Sequence, residues 1–480
     1  MATLFSSDGA EAMQRGMAEA GTGGRPPALA LTEFYEMERA AAFVSENGFT
    51  RVALQFPDEL LADSAAVAAE MEEATGAKAY ILGDTSYGSC CVDEVAAAHV
   101  QAEAVLHYGP ACLSPCCQLP VLHVFGRRPL AVAHCAAAFQ ELHPDPQSHV
   151  VVLSDVAYAH ALDELASVLC PEYPHAVFSR VELPGPTPDP PPVPGLVRRF
   201  GRLFEVEAQR GVDGYAMFYV GTEGLELNNF MLSWNRCRFS SFDPATGQGR
   251  WEMLDVNRAL RRRLYLVERA RDARVVGILA GTLGVAGYLS VLEHLRAVLR
   301  RAGKRSYTLA VGKPSPAKLA NFPEVDVFVL VACAQNSLLD SRDFYRPLVT
   351  PYELELACNP ARAWTGCYLT DFRPLLPGAC AHVPFPDAVS EEEEVPDVSL
   401  ITGELRSVQL CPLPAQEPPA SAALVSRNEA LSLAQLSPAA LFLESRSWQG
   451  LEQQLGQTPV AKAVPGRRGI AIAYEDEACG

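Results

Sequence analysis

The sequence predicts an α/β protein: three related α/β domains with mostly parallel sheets around a central crevice, then a partly flexible C-terminal extension. Three observations carry this. Apolar runs of strand length recur along the chain, each followed by a polar, often glycine-bearing loop and then a helical pattern. A length of 480 residues leaves room for roughly three domains. Beyond Pro377 the texture changes to acidic and proline-rich segments such as "PFPDAVSEEEEVPDVSL".

The elements follow in order. Residues 1–35 are Ala/Gly/Pro-rich and weakly patterned, and read as a mobile arm. "YEMERAAAFVSENG" has the pattern of an amphipathic helix that ends at Asn47-Gly48. "TRVALQFPDELL" is a short strand stopped by Pro57, with helix after it. "AKAYILGDTSYGSCC" repeats strand and loop, "VDEVAAAHVQ" supplies a helix, and "AEAVLHYGPACLSP" is a third strand with a turn. These make a first domain over 36–145. Residues 148–169 and 214–232 supply further strand–loop units within a second domain, 146–270. The intervening "VELPGPTPDPPPVPG" is too rich in proline for helix or central strand and is a loop. The third domain, 271–376, opens with "ARVVGILAGTLGVAGYLSVLEHLRAVLRRAGK", whose Leu289, Leu292, Leu295 and Leu299 are expected on one helix face. "SYTLAVGKPSPAKLANF" and "VDVFVLVACAQNSLL" add two strands, each ending in a polar loop. In the extension, 377–480, "SRSWQGLEQQLGQ" suggests a short helix and "GRRGIAIAYEDE" a short strand.

Composition excludes several classes. A net charge of −18 opposes general nucleic-acid binding, which needs basic surface, and suits a basic protein partner. No apolar run approaches the ~20 residues that span a bilayer. The start, "MATLFSSDGAEAMQRG", lacks a basic and then apolar leader and carries Asp8 and Glu11, so a soluble, cytoplasmic chain is expected. Fourteen cysteines in such a chain are buried hydrophobes, metal ligands or redox groups before they are crosslinks.

Cys90, Cys91, Cys112 and Cys333 stand where apolar strands end, the first three among turn residues in "YGSCCVD" and "YGPACLSP". In a parallel sheet such positions face one crevice, so thiols from different units can converge there. Consecutive residues of an extended segment point to opposite sides, so one of Cys90 and Cys91 is expected to face the crevice while the other packs. No Cys-x₂-Cys pair supports a zinc motif, and Cys116 and Cys117 fall in a proline-flanked loop. Thiolates distant in sequence can instead hold an iron–sulfur cluster, and three ligands would leave one iron open. Nearby, "GTLGVAG" offers backbone N–H groups or tight packing, Lys313 sits in a turn, His107 can orient a ligand loop, and Gln335 and Asn336 can hydrogen-bond sulfur or backbone.

"VALQFPDELL", "LGDTSYGSCCVDE", "LHYGPACLSP", "VFVLVACAQNSLL" and "FYRPLVTPYELELA" resemble the 2-(3-amino-3-carboxypropyl)histidine synthase family over most of residues 35–375. The resemblance implies three related α/β domains and, in catalytic members, one cysteine per domain on a [4Fe–4S] cluster that cleaves S-adenosylmethionine. The 3-amino-3-carboxypropyl group then passes to a histidine of elongation factor 2, beginning diphthamide synthesis. This chain departs from that pattern. Catalytic members carry a middle-domain cysteine before the strand matching "YAMFYVG", and here that interval holds none; Cys170 and Cys237 flank it. The expected ligand set is therefore Cys91, Cys112 and Cys333, with Cys90 as the rival for Cys91. The resemblance further implies an accessory subunit in a heterodimer with a related catalytic subunit, relaying electrons to that partner's cluster from a CSL-type zinc-finger donor. Whether S-adenosylmethionine binds this chain stays open. The alternative is a structural partner without a cluster.

Overall fold

The computed structural model describes residues 25–26, 30–83, 88–116, 119–183, 193–339, 342, 344–386, 397–403, 405–406, 469–470 and 473–474. The chain divides into two compact units, Met1–Leu413 and Pro414–Gly480. In the second, the described residues are the strands Gly469–Ile470 and Ala473–Tyr474, paired antiparallel where a short strand is expected. The "SRSWQGLEQQLGQ" segment lies outside the described residues.

The first unit contains three parallel-type sheets. Strands β1 (Arg51–Gln55), β2 (Lys78–Leu82), β3 (Ala104–Tyr108) and β4 (Val121–Val124) form the first, in the order β2-β1-β3-β4. Strands β5 (Val150–Ser154) and β6 (Ala176–Phe178) begin the second. Between them and its remaining strands the chain inserts β7 (Arg180–Val181), β8 (Leu196–Arg199) and β9 (Arg202–Glu205), an antiparallel sheet of order β7-β9-β8. Strands β10 (Ala216–Val220), β11 (Phe239–Asp243) and β12 (Gln248–Trp251) complete the second sheet, in the order β12-β11-β10-β5-β6, with β12 antiparallel. The third takes β13 (Val275–Ala280), β14 (Arg305–Ala310), β15 (Val327–Val331) and β16 (Leu348–Val349) in the order β14-β13-β15-β16. Counted within its own sheet, each is arranged second, first, third, fourth; the middle one adds an edge strand.

Burial explains the strand sequences. β3, β5 and β15 are buried at every residue, as parallel strands covered on both faces require, and they read as nearly continuous apolar runs, interrupted only by His107 in β3 and Ser154 at the end of β5. The edge strand β14 is mostly exposed and mixes Arg305, Ser306 and Tyr307 with apolar residues. The α-helices longer than a single turn are α1 (Met37–Glu46), α2 (Ser64–Thr75), α3 (Glu94–His99), α4 (Val132–Leu142), α5 (Leu162–Leu169), α6 (Leu225–Ser233), α7 (Met253–Asp272), α8 (Tyr288–Arg301) and α9 (Pro351–Cys358). Asp93 caps α3 by accepting the Ala96 N–H at 2.9 Å. A Thr350–Glu353 capping box starts α9.

Three expectations change. α8 buries Val291, Leu292, Leu295, Val298 and Leu299, but Leu289 is 60% exposed. At 3.6 residues per turn Leu289 lies about 120° around the helix from Leu295, outside the packed stripe. The expected arm ends in order: Leu31–Phe34 is a helical turn, Phe34 and Tyr35 are buried, and Tyr35 donates to Asp63 at 3.0 Å. The start of the extension is tied down as well, with Arg301 donating to the Phe385 carbonyl at 3.2 Å and Asn359 to that of Val383 at 3.0 Å. The acidic run Glu391–Glu394 and residues 184–192 of the proline-rich loop lie outside the described residues.

Candidate metal centre

Two sheets bring the thiols together. Cys90 and Cys91 come from the loop after β2, Cys112 from the loop after β3, and Cys333 stands two residues past β15. The Sγ atoms of Cys90 and Cys333 are 3.8 Å apart, those of Cys91 and Cys112 3.8 Å, and those of Cys90 and Cys91 4.0 Å. All four lie within 4.8 Å of one another and all four residues are buried.

Both members of the Cys90–Cys91 pair face the group, where alternation predicts one. The segment is a turn, closed by the Cys91 N–H donating to the Gly88 carbonyl at 3.0 Å, so the two-residue period of a strand does not apply. Cys116 stands outside the group, and Cys117 is not among the described residues.

The surroundings hold these loops by backbone contacts. Gln55, the last residue of β1, is 1% exposed; its side chain donates to the Cys91 carbonyl at 2.8 Å and accepts the Asp93 N–H at 2.9 Å. The Cys112 N–H donates to the Cys90 carbonyl at 3.0 Å. His107, inside β3, contacts the Pro110 carbonyl through Nε2 at 3.0 Å and so shapes the turn that delivers Cys112. The "GTLGVAG" loop is packing: Ala286 N–H donates to the Pro115 carbonyl at 3.0 Å, and a Cβ on Gly284 would stand 2.3 Å from the Val92 carbonyl oxygen. Only glycine allows that approach. Asn336 donates from Nδ2 to Cys90 Sγ at 3.4 Å and from its backbone to Cys333 Sγ at 3.4 Å. A Cβ on Gly88 would meet that Asn336 amide.

Ionisation follows from this crowding. Hydrogen bonds to Cys112 and Cys333, then burial, push the Cys90 and Cys91 thiols well above the ordinary range. Cys112, crowded by the sulfurs of Cys333, Cys90 and Cys91, is held well below it. Four buried sulfurs this close become thiolates together only around a cation. Soft, converging thiols excluded from water are a donor set for iron–sulfur or zinc and a poor one for magnesium or calcium. The residues present fit an iron–sulfur group.

At the matching rim of the middle sheet there is no thiol among the described residues. Glu226, in the first turn of α6 and beyond β10, accepts from Arg202 Nη2 at 2.7 Å and from the Tyr219 hydroxyl at 3.2 Å. Arg202 is 1% exposed and also donates to the Ser154 carbonyl at 2.7 Å. Burial lifts Glu226 to about 7 against the pull of Arg202, and negative charge on Cys112 pushes the same way. Gln55 was a readable signal, a polar residue closing the apolar run "VALQ"; nothing in the sequence pairs Arg202 with a carboxylate 24 residues away.

The comparisons with known proteins agree with this architecture. The family model of diphthamide synthesis proteins matches residues 56–369. The chain is 68% identical to 2-(3-amino-3-carboxypropyl)histidine synthase subunit 2 of Gallus gallus, over 99% of each chain. The chain belongs to this family. Its counterpart of the same name in Xenopus laevis is 56% identical, over 100% of this chain and 99% of that one. Among solved structures, this family member is similar in fold to Dph2 from Pyrococcus horikoshii, with a TM-score of 0.54 and 19% identity over 73% of this chain and 96% of that one. A second Pyrococcus horikoshii Dph2 structure, solved with a 4Fe-4S cluster, matches with a TM-score of 0.52 and 19% identity over 67% of this chain and 90% of that one. No helix among the described residues is long and apolar enough to cross a membrane.

Proposed function

We propose that this chain is the iron–sulfur subunit of a two-subunit complex that transfers a 3-amino-3-carboxypropyl group from S-adenosylmethionine to a histidine of elongation factor 2. In this reading Cys91, Cys112 and Cys333 hold a [4Fe–4S] cluster, with Cys90 as the fourth sulfur beside them. The observation that carries it is the meeting of four buried thiols, from segments as far apart as residues 90 and 333, within 4.8 Å. The subunit name shared by the relatives and the cluster in the archaeal neighbour support it.

A [4Fe–4S] cluster held there supplies one-electron chemistry, the reducing equivalent for the related catalytic subunit. The chain's own residues bind and insulate: Gln55 fixes the Cys91 loop, Asn336 offers two N–H groups to sulfur, and the third sheet's 281–287 loop closes over the thiol-bearing loops to exclude water. The three sheets are proposed as the domains 36–145, 146–270 and 271–376. The middle one carries an Arg202–Glu226 pair at the described rim in place of a thiol, which suits an accessory role over cleavage of S-adenosylmethionine. A CSL-type zinc-finger protein is the proposed reductant.

Anaerobic purification of the chain by itself tests this reading. About four irons, about four sulfides and a broad absorption near ~400 nm are expected, together with electron transfer to the partner's cluster on mixing. A chain without iron or sulfide, whose complex keeps full activity when Cys91, Cys112 and Cys333 are all serine, makes it a structural partner instead.

A further inference from the structure

The middle sheet, which lacks a described thiol at the crevice, gathers a different ligand set at its opposite end. His149 stands one residue before β5 and His175 one residue before β6. The strands are parallel neighbours with Val150 opposite Ala176, so the residues just before them also lie side by side. Their imidazoles stack with centroids 4.4 Å apart and planes 10° from parallel. Glu207, two residues past β9, begins a turn in which its carbonyl accepts the N–H groups of Arg210 and Gly211. That turn brings Glu207 Oε1 to 3.5 Å from His149 Nε2. One ligand atom from each of the three residues lies within 4.8 Å of the other two.

The neighbours leave these atoms available. Arg210 Nε lies 3.6 Å from Glu207 Oε2, the oxygen that does not face His149. Tyr215 packs edge-on to the His149 ring at 5.4 Å and accepts the Glu207 N–H at 3.2 Å, which walls one side. Both rings are half-buried, whereas Glu207 is exposed.

As an ion pair this arrangement gains little. Glu207 is exposed, so solvent screens its attraction for His149, and two protonated rings would set like charges face to face. A shared divalent cation suits neutral imidazoles and a carboxylate at once. Two nitrogens and one carboxylate oxygen are a borderline donor set that favours zinc over magnesium or calcium, with a fourth position left for water. We propose that His149, His175 and Glu207 form a zinc-binding site, separate from the cysteine centre, that fastens the β9 turn to the leading edges of β5 and β6. This does not rest on the iron–sulfur reading, because none of its ligands is a thiol.

Cobalt(II) is the probe that separates the two centres, since thiolate ligation adds a strong sulfur-to-metal charge-transfer band that nitrogen–oxygen ligation lacks. Under anaerobic conditions the full chain is expected to take up cobalt in two classes, one with sulfur charge transfer at the cysteine centre and one whose visible ligand-field bands lack that signature, and added zinc displaces the second. His149→Ala and His175→Ala remove this second class, Glu207→Gln weakens it at least tenfold, and Cys112→Ser leaves it unchanged. Zinc raises the melting temperature of the parent chain but not that of the histidine variants. If a histidine variant fails to fold, Glu207→Gln, at an exposed position, decides. Cobalt binding with sulfur charge transfer alone, or uptake indifferent to Glu207→Gln and to either histidine change, overturns the proposal.

Discussion

Past β3 and past β15 the chain delivers a buried thiol, Cys112 and Cys333; past β10, the third strand of the middle sheet, it delivers the carboxylate Glu226. The strand order is shared, so the backbone offers the same position in all three sheets. What differs is how the buried polar group is satisfied. The thiols satisfy one another and Asn336. Glu226 needs Arg202, brought in by the antiparallel insert, and the Tyr219 hydroxyl. Topology sets where a functional group can stand, and side-chain chemistry decides whether that place invites a metal or an internal ion pair.

The sharpest way to break this comparison is to remove thiols and carboxylate separately. Cys112→Ser and Cys333→Ser are expected to lose most of the iron retained after anaerobic reconstitution, while Glu226→Gln keeps it all; equal losses would erase the distinction between the rims. Cys90→Ser and Cys91→Ser then rank the adjacent sulfurs, with the greater loss expected at Cys91. Next in size, Arg202→Ala strands the largely buried Glu226 and should cost up to about 3–5 kcal/mol in denaturant unfolding, part of which Arg202→Met with Glu226→Leu recovers. Gly284→Ala comes third. Its new Cβ would press on the Val92 carbonyl oxygen, so about 1–3 kcal/mol of stability should go, with lower iron uptake from the same sample.

The most gradual effect is a pH slope. Glu226 holds its proton in the fold to about 7, against 4.5 in the unfolded chain, so its contribution to stability declines as pH rises through that interval. Buried His123, depressed to about 3 by burial and by His107, works the other way: its contribution is lost as pH falls from 6.5. Melting curves of Glu226→Gln and the parent between pH 5 and 7.5 isolate the carboxylate. The variant should gain on the parent as pH rises, and a constant difference would place Glu226 in an ordinary ionisation range.

Much of the fold was legible because parallel strands buried on both faces read as apolar runs, as in "VVVLS" and "VFVLV". The convergence of Cys91, Cys112 and Cys333 was legible from their places at strand ends. What escaped was set by contacts with no local pattern. Cys90 joins the group because its segment is a turn. Leu289 satisfied a three-residue spacing yet drifted off the packed face. The Arg202–Glu226 pair and the stacked His149–His175 rings depend on strand neighbours that only tertiary structure supplies.

The contact between Cys90 and Cys333 bridges 243 positions of the chain. A ribosome must therefore release nearly the whole first unit before these sulfurs can meet. On the proposed reading, cofactor insertion would be a late checkpoint: a product truncated before Cys333 lacks one of the four thiols, and a cell could sort finished copies from failed ones by whether they hold iron.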